Sequence, residues 1–235
     1  MRFKNNIFFG LTIVGLILLS AFAHQQNRQR EIGNISINFK NNGPKFLSLS
    51  SVNKLLIQNI GELSCKTKDS LDLNQLETLL ENTPYILNAE VFCFPEGNLG
   101  INILEKKPLV MIQGDYTYYM DNFGSEFPMS DSFTPLVPIY IGELKSFDKS
   151  NLLALVNFFN EDPFLKSELK TIYHKSNSFY VRLKSYDFEV EIGSMSEVLD
   201  KLLKLKVFCV YQENNELEKK YKLISLKYKN QIVGS

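Results

Sequence analysis

Asp187, Glu189 and Glu191 stand at i, i+2 and i+4 in the stretch SYDFEVEIG. On a strand, that spacing puts three carboxylates on one face and Phe188, Val190 and Ile192 on the other. Carboxylates so placed could act as the acid–base pair of a glycosidase or hold a hard divalent cation. A solvated face over a buried one gives the same alternation, and so does an acidic docking face. The remaining reactive types add little. Of the two histidines, His24 borders an apolar segment, which leaves His174 as the one candidate imidazole base. Cys65, Cys93 and Cys209 cannot all pair and have no metal-ligand spacing; Cys93 and Cys209 lie in apolar runs, as buried free thiols do. Gly97-x-x-Gly100 sits in a turn cluster, and turn chemistry explains it. There is no G-x-S-x-G, P-loop or H-E-x-x-H. The expectation is therefore no catalytic residue, no cofactor and no metal site. The alternative left open is an exported hydrolase built on the acidic trio.

Lys+Arg and Asp+Glu both number 26, so the formal net charge is zero and a nucleic-acid partner is not expected. No small-molecule substrate is implied either. With 18 Phe and 11 Tyr in a chain that is 44% hydrophobic, the composition is that of a globular, strand-rich protein.

Ile7 to Ala23, IFFGLTIVGLILLSAFA, carries no charge and approaches the ~20 residues that span a bilayer as a helix. Arg2 and Lys4 precede it and Arg28 and Arg30 follow it, so basic residues alone do not orient it. The lengths on either side do: a short tail inside, and the bulk of the chain outside the cytoplasm. Ala21-Phe22-Ala23 also forms an A-x-A cleavage site, so a signal peptide is the competing reading. Both readings place the rest of the chain in the same compartment.

Beyond a polar stalk over residues 24–32, the periodicity predicts a strand over Asn34–Phe39. It predicts a helix capped by Ser50 or Ser51, with Val52, Leu55, Leu56 and Ile60 on its apolar stripe and Gly61 at its end. A second helix begins at Asp72, with Gln75 completing a capping pattern and Pro84 just past its end. Ile86–Phe94 and Leu99–Leu104 form a hairpin across Pro95-Glu96-Gly97-Asn98. Short strands follow at Val110–Ile112, Tyr116–Met120 and Glu126-Phe127. Pro135–Ile141 is extended, Asn151–Asn160 is a helix, and Phe179–Leu183 pairs with Tyr186–Ile192 around Lys184-Ser185. Ser194-x-x-Glu197 caps a helix from Ser196 to about Leu205. Finally Ile224–Val233, ISLKYKNQIV, alternates as a half-buried strand: Ile224, Leu226, Tyr228 and Ile232 face one way, and Ser225, Lys227, Lys229 and Gln231 the other.

The strand-helix-helix-strand-strand order over 33–106 resembles a POTRA domain. Leu71 to Pro108 is similar to the POTRA domain of the FtsQ/DivIB cell-division family, which has a Pro, then I-x-x-A-x-V, a hairpin and an E-[RK]-x-P exit. Here these are Pro84, Ile86–Val91 and Glu105-Lys106-Lys107-Pro108. Tyr118, Asp121, Gly124 and Phe127 match the aromatic-x-x-D-x-x-G-x-x-F hairpin that opens the family's β domain. Pro138 and Gly142 fit its P-x-x-x-G, and Leu226-Lys227-Tyr228 resembles its closing D-L-R-Y strand, with Ser225 where Asp is frequent. The Trp found beyond that strand in some members is missing.

The resemblance implies an α+β fold: a cytoplasmic tail over 1–6, a transmembrane helix over 7–23, a stalk over 24–32, a POTRA domain (β-α-α-β-β) over 33–106, and a β-rich domain with two or more helices over 107–235. It implies a non-catalytic divisome scaffold linking early division proteins to septal peptidoglycan synthesis. Such a scaffold is single-pass in the bacterial inner membrane, N-terminus cytoplasmic and C-terminal domains periplasmic, at the division septum. Partners would be FtsB-type and FtsL-type proteins with other septal division proteins, FtsB adding as a strand to the last β-strand. The partner-binding residues would be Leu226, Lys227, Tyr228, Lys229, Asn230 and Ile232. A POTRA-containing envelope assembly factor is the other alternative, but the residues after Lys106 are too few for a membrane barrel of ~16 strands at ~10 residues each.

Overall fold

The computed structural model describes residues 2–28, 32–41, 43, 45–60, 71–214, 221–229 and 231–235. Gly61, Cys65 and Asn230 lie outside the described residues. The chain divides into two compact units, residues 1–106 and 107–235.

The first unit opens with α1 (Arg2–Arg28), of which Phe9–Asn27 is long and apolar enough to cross a membrane. The polar residues His24–Arg28, expected as part of a stalk, continue this helix. After it come β1 (Ile35–Phe39), α2 (Leu49–Ile60), α3 (Leu73–Glu81), β2 (Ile86–Cys93) and β3 (Leu99–Glu105). The three strands form one sheet in the order β1-β3-β2, with β1 parallel and β2 antiparallel to β3. Val52 and Leu56 of α2, Leu76 and Leu80 of α3, and alternate residues of β2 and β3 (Ala89, Val91, Ile101, Ile103) share one core. The cap of α3 is the expected one: Asp72 Oδ1 accepts from Gln75 N–H at 3.1 Å. The cap of α2 falls two or three residues earlier than its expected serines, Ser50 and Ser51. Ser48 Oγ accepts from Ser51 N–H at 3.1 Å, and Val52 N–H closes the first turn on Ser48 O. With serines at 48, 50 and 51, composition alone does not choose among them.

Glu105, at the end of β3, is 2% exposed. Burial pushes its carboxyl above the ordinary range, and the Leu47 N–H, 2.8 Å from Oε1, only partly offsets that. A carboxyl raised in the folded state stabilises below its unfolded pKa and loses that contribution as pH rises through its folded value. Glu105→Gln keeps an acceptor for Leu47 without a buried charge. It is therefore expected to gain on the order of 1 kcal/mol over the wild type between pH 4.5 and pH 7.5 in urea unfolding. Parallel pH dependences of the two proteins would contradict this.

Among its described residues the second unit has nine strands: β4 (Pro108–Gln113), β5 (Thr117–Asp121), β6 (Glu126–Pro128), β7 (Ile139–Ile141), β8 (Leu169–Lys175), β9 (Ser178–Leu183), β10 (Glu189–Gly193), β11 (Leu223–Ser225) and β12 (Val233–Gly234). Their order is β12-β11-β10-β9-β8-β7-β4-β5-β6. The β5–β6 hairpin has a clear physical cause. Asp121 Oδ1 accepts from the amides of Phe123 (2.9 Å) and Ser125 (2.8 Å), and Gly124 takes φ +75°, where a side chain is disfavoured.

The unit's described residues also carry the helices α4 (Ser146–Glu161), α5 (Pro163–Glu168) and α6 (Val198–Asn214). Leu152, Leu155, Val156 and Phe159 of α4 sit at i, i+3, i+4 and i+7 and are all 0% exposed. Val198, Leu202, Leu205 and Cys209 of α6 enter the same core.

Three expectations change here. The helix expected to stop near Leu205 runs on to Asn214, because Leu205 and Cys209 keep the helical period through the apolar VFCVY run. Glu197 does not complete a capping box; it sits at φ +52° outside the helix. The β9–β10 connection is longer than Lys184-Ser185, since β10 starts at Glu189, and Asp187 is thereby left outside the strand. Residues 163–175 carry α5 and β8. Asp162 caps α5 by accepting from Phe164 and Leu165 amides at 2.9 and 3.1 Å, with Pro163 in the first turn.

Candidate partner-binding edge

The segment expected as one ten-residue strand is two short strands and a loop. Leu223–Ser225 pairs in parallel with β10 (Ile224 beside Val190) and antiparallel with Val233–Gly234 (Ser225 beside Val233). Between them the chain leaves the sheet. Leu226 N–H still donates to Glu191 O at 2.8 Å, and its side chain is fully buried. Lys227 then crosses over Gly193, whose φ is +74° and whose missing Cβ would lie 3.3 Å from Lys227 Cα. Lys229 is drawn toward the start of α6 by two contacts: its ammonium pairs with Glu197 at 2.9 Å, and its carbonyl accepts from Lys204 Nζ. The pairing lowers the Glu197 carboxyl and raises the Lys229 ammonium from their ordinary values.

These contacts sort the expected binding residues. Lys227, Tyr228 and Lys229 are exposed, Tyr228 by 48%. Leu226 is corrected from surface to core, and Ile232 packs half-buried against that core. Both hold the segment from beneath. The alternating pattern identifies Leu226 as an inward residue but does not show that Tyr228, in the same register, lies past the point where the strand ends.

The open edge belongs to β12, which the expected strand reaches only at Val233. Leu223 and Ser235 exchange both backbone bonds, N–H to O, at 3.1 and 2.9 Å. By antiparallel alternation, the Gly234 N–H and C=O then point away from β11 toward the free edge. Gly234 has a second constraint: a Cβ there would lie 2.4 Å from a Tyr221 ring carbon. Tyr221 is itself held edge-on by Phe208 of α6, with ring centroids 5.9 Å apart. Val233 is 41% exposed beside it. The sequence signal for this edge is slight: one glycine following a β-branched pair.

Two of the acidic trio are engaged by other side chains. Glu189 accepts from Tyr173 OH and Arg182 Nε, each at 2.7 Å, and Glu191 accepts from Ser225 Oγ at 2.8 Å. Burial raises the Glu189 carboxyl, but the bonds from Tyr173 and Arg182 outweigh it and hold the group below the usual range. Tyr173, partly buried and bonded to that carboxylate, is pushed up to about 12. Its ring stacks on Tyr180 with centroids 5.1 Å apart. Asp187 lies apart in an exposed bend. His174 Nδ1 faces the buried Asp148 carboxylate at 3.4 Å and its ring meets Phe179, so its surroundings are structural. Burial pushes the Cys209 thiol up to about 11, where little of it is thiolate at neutral pH. Cys93 is half-buried, and among the described residues no group of acidic, His and Cys side chains could hold a metal.

Residues 107–235 match the model of the family described as FtsQ/DivIB, C-terminal related. The chain belongs to the FtsQ/DivIB family. No curated protein matches it. FtsQ/DivIB proteins are non-catalytic division scaffolds, which places this chain in cell division and its partners among divisome proteins. The matched residues are those of the second unit, so the β12 edge and the loop that leads to it lie within the family region. The α1 helix fits a single-pass membrane protein of division.

Proposed function

We propose that the chain is a divisome scaffold that binds FtsB-type and FtsL-type partners through its second unit, an FtsB-type segment adding as a strand to β12. In this reading residues 33–106 are a POTRA domain that takes part in recruitment to the septum. The N-terminus is cytoplasmic, and residues 33–106 and the second unit are periplasmic. The observation that carries the proposal is the β12 edge itself: among the described residues no strand pairs with the outer side of β12, where Gly234 turns its N–H and C=O outward, and Val233 beside it is exposed.

Energetics define what the side chains must add. Of the two strand residues at this edge only Gly234 turns outward, which supports about two backbone bonds, worth roughly 0.5–1.5 kcal/mol each. A micromolar complex needs about 8 kcal/mol net. Tyr228 supplies apolar area and a hydroxyl at low entropic cost, and Lys227 meets acidic residues of the partner. Tyr228→Ala is expected to weaken binding of the partner's extracytoplasmic segment roughly 30-fold, about 2 kcal/mol, with an unchanged melting temperature. Unchanged affinity in the folded variant would remove Tyr228 from the interface. A fluorescent fusion is expected in a mid-cell band, and a uniform envelope signal throughout the cycle would count against the scaffold reading.

A further inference from the structure

In the first unit, the order β1-β3-β2 leaves β2 at the sheet margin. Phe94 N–H donates to Asn98 O across the hairpin at 2.8 Å, so alternate amides upstream point toward β3 and those of Ala89 and Val91 point outward. A row of outward amides is a template for another strand. Here both are occupied. Val91 N–H donates to Glu77 Oε1 at 2.8 Å and Ala89 N–H to Glu81 Oε1 at 3.1 Å. Asn88 Nδ2 adds a second donor to Glu81 Oε1 at 3.1 Å.

The fit comes from two periodicities. Glu77 and Glu81 are four apart on α3 and share a face, separated by about 6 Å along the helix. Ala89 and Val91 are two apart on β2, separated by about 6.8 Å. Leu76 and Leu80 of α3 are buried, at 1% and 0% exposure, which fixes the helix over the sheet and brings the neighbouring glutamates to the strand margin.

We infer that Glu77 and Glu81 form a carboxylate clasp that closes the β2 edge to strand pairing. An incoming strand would offer neutral carbonyls to amides that already have charge-assisted acceptors, which are the stronger bonds. The clasp keeps the first unit from pairing edge to edge with a second copy. It also excludes extended segments from that edge. The inference rests on first-unit geometry alone and stands or falls separately from the reading of β12.

The test uses the full chain in detergent micelles. In the wild type, the Ala89 and Val91 amides are expected to exchange hydrogen at least tenfold more slowly than in an unstructured chain, and exchange at the unstructured rate overturns the clasp. In Glu77→Ala/Glu81→Ala, exchange at both amides is expected to speed up tenfold or more. Light scattering is expected to show concentration-dependent dimers in that variant. A folded alanine variant that keeps wild-type protection, or stays monomeric at every concentration, overturns the inference. Glu77→Gln/Glu81→Gln retains an acceptor oxygen at each position and is expected to remain monomeric. Association equal to that of the alanine pair would show that the acceptors are not what closes the edge.

Discussion

Phe159→Ala is expected to destabilise the second unit by about 3–5 kcal/mol, the usual cost of removing a fully buried aromatic side chain. Phe159 is 0% exposed and completes the α4 stripe begun by Leu152, Leu155 and Val156. Its core also holds Leu165 of α5 and Leu205 of α6, so one cluster joins three helices. Those helices are tied by other bonds, including Lys206 on Asp162 at the α4–α5 junction. Such ties resist collapse onto the void and keep the cost near the upper part of the range. For a unit of this size the change corresponds to a fall in melting temperature of roughly 10–20 °C. Calorimetry of the full chain checks it, and a fall of a degree or two would mean that the core is not centred on α4.

Gly234→Ala is expected to leave the second unit folded and to abolish most partner binding, by on the order of 100-fold or about 2.7 kcal/mol. The new methyl would sit 2.4 and 2.6 Å from two ring carbons of Tyr221. Tyr221 is backed by Phe208, so the cheaper response is for β12 to lift away. The detached strand forfeits the bonds of Ser235 to Leu223 and Lys222, a small loss beside the whole core. Partner binding by this reading needs the strand in place. Titration of the variant with the partner's extracytoplasmic segment, alongside its melting curve, separates the two effects. Wild-type affinity in the folded variant would exclude pairing at β12.

The contrast between these positions shows what the residue pattern reveals. The α4 stripe and the Asp72 cap are local and periodic, and both are legible in the chain. So is the hairpin motif around Asp121 and Gly124, where two amides and one carboxylate fix the turn. The α6 helix is misread in its second half because apolar VFCVY suits a strand and a buried helix equally; only its packing through Cys209 decides. Glu189 and Glu191 look like a free acidic face until Tyr173 of β8, Arg182 of β9 and Ser225 of β11 arrive beside them. ISLKYKNQIV alternates well enough to suggest one strand. Yet Lys229 finds Glu197 and Lys204 at the start of α6, and these long-range contacts pull the middle of the segment out of the sheet. The edge therefore moves from Tyr228 to Gly234, on a different strand.

The most direct test is the amide of Gly234. Hydrogen exchange of the full chain, with and without the extracytoplasmic segment of an FtsB-type partner, reads whether that N–H gains a bond. Strand addition at β12 requires strong protection of Gly234 on binding, with the Ser225 amide, already inside the sheet, little changed. Saturated partner binding with Gly234 exchanging at its free rate would contradict it.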